Sequence, residues 1–188
     1  MGCQSSKMVI TDGQTNSTAK KMSKSNKKIV QEMWFELKPD LKNFGVSIFI
    51  RLFEEAPEAQ DLFYNFRDLK NQDELIQSLK ELDHVARVMN AFGNCIELLE
   101  DMEQFSNTVQ GLGRTHIKIG INESHINLFG KVVMDLLVDY CHVSWTVQKE
   151  NAWKNFFGLL SENFAIGLND TENINLHNGS DNNNHASS

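Results

Sequence analysis

The chain has 188 residues, 40% hydrophobic and 23% charged, with a formal net charge of −7. That length fits one domain with spare chain at its ends, and two prolines argue against a many-stranded sheet with frequent turns. No run of about 18 apolar residues offers a membrane span, and the start lacks the apolar core of a signal peptide.

Residues 1–27 are polar and predict a disordered basic tail. They open on Met-Gly-Cys-Gln-Ser-Ser, which matches the myristoylation pattern M-G-x-x-x-[ST] at Gly2 and places Cys3 for a second acyl chain. One myristoyl chain binds a bilayer with an association constant of only about 10⁴ M⁻¹, so a second signal is required. Lysines supply it: Lys7, Lys20, Lys21, Lys24, Lys27 and Lys28 face Asp12 alone, while the rest of the chain carries 12 bases against 24 acids. The arm predicts attachment to anionic lipid on the cytosolic face of the plasma membrane. The acidic body argues against nucleic-acid binding.

Residues 28–168 read as helix throughout. Ile29, Val30, Met33, Trp34 and Leu37 recur at spacings of one, three and four until Pro39. Phe44, Ile48, Phe49, Leu52 and Phe53 form the next stripe, and Pro57 opens a short turn. Leu75, Leu79 and Leu82 continue into Val85, Val88, Met89 and Phe92. Phe105, Val109 and Leu112 follow, then Leu128 to Leu137, then Trp153, Phe156, Phe157, Leu160 and Phe164. An Asn-rich tail, residues 169–188, is expected to be disordered. The fold class is all-α, a bundle of six or more helices.

Two of the body's histidines stand on apolar stripes. His84 shares a face with Val85, Val88 and Ala91, and His116 continues the stripe of Val109 and Leu112. A lone histidine there reads most simply as a core residue satisfied by backbone carbonyls. Two of them, in a bundle with twelve phenylalanines, also fit the two faces of a planar iron macrocycle walled by aromatic rings. Phosphate loops and the G-x-S-x-G, C-x-x-C and H-E-x-x-H motifs are absent, so hydrolytic and phosphoryl-transfer chemistry has no support.

Four stretches together resemble a globin over about residues 28–168. "SIFIRLFEEAPEAQDLFYNF" resembles the second helix, its proline corner and the haem-packing phenylalanine; "LDHVARVM" resembles the distal-histidine helix. "LGRTHIKIGI" resembles the proximal-histidine helix, and "ENAWKNFFGLL" the final one. The resemblance is to the neuroglobin and globin X branch, whose globin X members share the acylated Met-Gly-Cys start. It implies about eight helices around a haem pocket that holds haem b (iron protoporphyrin IX). His116 would be the proximal iron ligand and His84 the distal histidine. Phe63 would pack on the haem face, Phe49 and Val88 would line the distal pocket, Arg87 would pair with a propionate, and Leu112, Ile121 and Ile126 would wall the proximal side; Phe66 and Val109 are further candidate haem-binding residues. Neuroglobin-like chains often carry a cysteine pair near the corner after that phenylalanine; Phe66 and Asp68 stand here without cysteine, which removes the basis for disulfide control of the distal histidine.

The function implied is reversible binding of oxygen, carbon monoxide and nitric oxide by a bis-histidyl, hexacoordinate haem, in oxygen or redox sensing or signalling. One alternative is a haem enzyme acting on nitric oxide or nitrite, supplied by an outside reductase. Another is an acylated helical adaptor without haem.

Overall fold

The computed structural model describes residues 22–170, apart from 67 and 70. Ser23 opens the first helix, α1 (Lys24–Leu37), its side chain accepting the Asn26 N–H. Pro39 sits in a 3₁₀ turn, Lys38–Asp40, after which α2 (Leu41–Glu55) begins. Pro57 stands at the first position of the single-turn α3 (Pro57–Gln60). Asn71 caps α4 (Gln72–Glu81), and α5 (Asp83–Glu97) follows after the single residue Leu82. Asp101 caps α6 (Met102–His116), whose last turn tightens and stops at Gly120, φ 77°. After α7 (Glu123–Cys141), Thr146 caps α8 (Val147–Leu168). Each such cap satisfies a backbone donor that the helix leaves orphaned.

Burial divides into two clusters. The larger joins α1, α5, α6, α7 and α8, with Phe44 and Ile48 of α2, around Trp153, Phe156, Phe105 and Val109, these four fully buried. The smaller gathers Val46, Phe49 and Phe53 of α2 with Phe66, Leu75, Leu79 and Val85. Helices α6 and α8 cross with almost no space between backbones. A Cβ placed on Gly113 would run into the Phe164 carbonyl oxygen, and one on Gly167 into that of Gln110.

The fold corrects three expectations. The helical domain starts before residue 28: Lys24 is already helical, Met22 is buried in the larger cluster, and Lys27 is buried with its ammonium 3.2 Å from Glu100. The stripe from Leu75 to Phe92 is two helices, broken at Leu82. Phe66 belongs to the core behind the pocket, as described below. The expected tails and the acceptors Gly2 and Cys3 lie largely or wholly outside the described residues. Cys95, fully buried, and Cys141, half-buried, are both free thiols, and burial pushes that of Cys95 up to about 11.

Candidate functional site

A cavity of about 460 Å³ opens between the two clusters. Its walls are almost wholly apolar because each cluster lends a face: Phe49, Phe53 and Phe63 from the smaller, Phe92, Val109 and Phe164 from the larger. His84 and His116 both line it, brought there by α5 and α6.

His116 closes α6, one turn beyond Leu112. Its Nδ1 lies 2.7 Å from the Leu112 carbonyl oxygen, so Nδ1–H donates there and the Nε2 lone pair is left available. The Thr115 hydroxyl donates to the same oxygen at 2.7 Å and stands 3.2 Å from Nδ1. Phe164 of α8 packs against the ring at 5.4 Å between centroids. The tautomer and the ring's setting are thereby fixed by backbone and core, as a metal-binding imidazole requires.

His84 is held differently. Its ring meets those of Phe49 at 5.9 Å and Phe63 at 5.5 Å, edge to face. Among the described residues no hydrogen bond is made to its nitrogens. Burial, then the charges of Arg87 and His116, lower its pKa below the usual histidine value. The ring therefore stays neutral at pH 7 and keeps a lone pair to offer.

The expected pocket residues Phe49, Phe63, Arg87, Val88, Val109, Leu112, Ile121 and Ile126 all line this cavity. Phe66 does not: it stacks behind Phe63 at 5.8 Å, 24° between planes, and supports that ring from the core. Several wall residues were not singled out from the sequence, among them Phe92, Phe129, Phe164 and His125. The three phenylalanines sit on helical stripes that read equally well as core. His125 lacked even that signal; its Nδ1 accepts the Asn122 N–H at 3.2 Å.

Among the described residues no group of three or more histidine, cysteine or carboxylate side chains is arranged to hold a metal ion. Two imidazoles lining one apolar cavity instead suit a metal whose remaining ligands arrive with it, in a planar macrocycle. The donor set and the aromatic walls fit such a group.

The globin family profile matches residues 46–164, from within α2 to within α8. The chain belongs to the globin family. This globin is 25% identical over 133 residues to Cytoglobin-1 of Oryzias latipes, covering 70% of this chain and 75% of that one. It is 24% identical over 147 residues to Neuroglobin of Tetraodon nigroviridis, covering 78% and 92%. Among solved structures, a hexacoordinated heme protein from an anhydrobiotic tardigrade, at pH 4, superposes with a TM-score of 0.71 at 20% identity, over 78% of this chain and 95% of that one. That last likeness is one of fold.

Proposed function

We propose that this globin binds haem b in the cavity between α5 and α6, with His116 as the proximal ligand and His84 as the sixth, and reversibly binds oxygen, carbon monoxide and nitric oxide on the His84 side. The observation that carries the reading is the unequal pair of histidines on one apolar cavity: His116 locked through Nδ1 to Leu112, His84 neutral and resting only on aromatic rings. When bound, the group would supply an iron centre able to exchange ligands and electrons. Everything else is the work of the chain. The Leu112 carbonyl and Phe164 hold the proximal ring in place, and the phenylalanine wall excludes water from both faces. Arg87, exposed and lining the cavity, would meet a propionate. Val88 and Phe49 limit the distal space to small ligands. His84 competes with them, so an external ligand sees only the fraction of molecules in which it has withdrawn. A pocket that must first lose its own ligand suits sensing or signalling better than bulk storage.

Membrane attachment is part of the same proposal. Acylation at Gly2 and Cys3, with nearby lysines, would hold the domain at the cytosolic face of the plasma membrane. The cytoglobin and neuroglobin relatives support the haem reading. The test is spectroscopic. The purified full-length chain, reconstituted with haem, is expected to give a strong Soret band and six-coordinate reduced bands. His116→Ala is expected to lose tight haem binding. Retention of full, tightly held haem by that variant would sink the assignment.

A further inference from the structure

Two residues before His84 the chain stops being helical. Leu82 stands between α4 and α5 in an extended conformation, φ −77° and ψ 114°. Its N–H donates to the Leu79 carbonyl at 3.2 Å, and its own carbonyl accepts the Val85 N–H at 3.1 Å, so a single residue makes the break. No side chain caps the start of α5. The first turn of any helix has N–H groups without intrahelical partners, so tilting that turn breaks little of the ladder. His84 therefore rides on an uncapped turn joined to α4 by one extended residue.

There is also space for that turn to enter. A groove of about 370 Å³ lies alongside, walled by Leu41 and Lys42 of α2, Leu79 of α4, and Ala86 and Met89 of α5. Leu82 lines both this groove and the histidine cavity, and so forms the partition between them. On α5 the two faces separate cleanly: His84 and Val88 line the cavity, Val85 and Met89 the groove. Val85 and Met89 pack where Gly45 of α2 leaves no room for a Cβ, which gives the turn a fulcrum.

We propose that Leu82 is a positioning residue for the distal histidine: rotation of the first turn of α5 about Leu82, toward the groove, carries His84 out of the cavity and admits a diatomic ligand. The inference rests on the bis-histidyl reading above. It makes the rate of His84 withdrawal a property of the hinge and groove rather than of the pocket walls.

Two variants outside the cavity test it in the full-length protein. Asp83→Pro places proline at the first helical position, where it is tolerated, and confines Leu82 to its present extended region. Ala86→Phe, at an exposed position, fills the groove. Both are expected to keep the wild-type reduced spectrum. Both should slow the saturating rate of carbon monoxide binding, by about two- to fivefold for the proline variant on the scale of a removed backbone freedom. In a His84→Leu background neither should change that rate, because no histidine has to leave. Wild-type rates in both variants, or equal slowing without His84, would overturn the proposal. Hydrogen exchange on the haem-free chain separates this from the haem reading. The amides of residues 84–87 should exchange faster than the rest of α5 and slow in Asp83→Pro. If the wild-type iron proves five-coordinate, the bis-histidyl reading fails, and unchanged exchange in that variant would reject the hinge as well.

Discussion

The two histidines divide the labour by how their rings are held. His116 spends Nδ1–H on the Leu112 carbonyl at 2.7 Å and is wedged by Phe164, so its orientation survives whatever happens on the other side. Among the described residues His84 meets the aromatic edges of Phe49 and Phe63 and makes no hydrogen bond, and burial, foremost, lowers its pKa. In the proposed bis-histidyl state, coordination would be its one strong interaction. For His84→Leu the expected result is a five-coordinate ferrous spectrum and faster carbon monoxide binding. If the open fraction of the wild type is about 10%, apparent affinity rises about tenfold in the variant. A ferrous spectrum identical to the wild type's would mean that His84 was never a ligand. At this scale the sequence was informative about type and less so about direction. His84 and His116 declared themselves by standing on apolar stripes, yet Phe63 and Phe66, three residues apart, carried the same signal. Only packing decides that Phe63 faces the cavity while Phe66 stacks behind it.

At the scale of the helices, the frame that carries His116 is set by the crossing of α6 and α8. Gly113 stands three residues before His116, and Gly167 faces the same helix from the other side. Alanine at either position requires the two backbones to part, since the obstacle in each case is a carbonyl oxygen and not a flexible side-chain end. Overpacking of this kind costs about 1–3 kcal/mol, so Gly113→Ala and Gly167→Ala are each expected to lower the thermal midpoint by several degrees. Gly111→Ala, where nothing but the Arg114 guanidinium lies near, serves as the control and should not. Thermal unfolding of the three variants side by side reads this directly. Helix identity was legible from periodicity, but two boundaries were not. Lys24 and Lys27 looked like tail because charge dominates that stretch; Ser23 caps the helix and the Lys27 stem buries, so order begins earlier. The break at Leu82 carries no proline or glycine. The apolar spacing runs through it unbroken because Leu79, Leu82 and Val85 all pack into the same small cluster.

The molecule as a whole is two apolar clusters with a cavity between them, and a ligand that fills the cavity couples them. A group present at a thousand times its dissociation constant adds about 4 kcal/mol to the folded state. In the haem-free chain, amides of α4, which belongs to the smaller cluster, are therefore expected to exchange much faster than those of α8. Haem should narrow the difference; equal protection before and after loading would show that the clusters do not depend on it.

The position of α1 bears on the proposed membrane attachment. Lys27 cannot serve it, being buried and paired with Glu100. Lys24 and Lys28 are exposed on α1, so they lie on the folded domain rather than on a free arm, and Lys28 already faces Glu32 at 3.6 Å. Met22, the first described residue, is buried in the larger cluster. Under the proposed attachment, lipid attraction would fall to Lys7, Lys20 and Lys21, assisted by Lys24, each adding about 1 kcal/mol when close to an anionic surface. That is too little without acyl chains, because the acidic remainder of the chain is repelled by the same surface. The double change Gly2→Ala and Cys3→Ser, in a chain with a C-terminal fluorescent tag, is expected to release the protein to the cytosol. Cys3→Ser alone should leave weak, salt-sensitive binding through one chain and the lysines. Lys27→Gln should leave membrane binding unchanged and instead loosen the start of α1, whereas Lys20→Gln with Lys21→Gln should weaken the binding of the singly acylated form. Membrane retention of the double acceptor mutant at the wild-type level would place the anchor elsewhere in the chain.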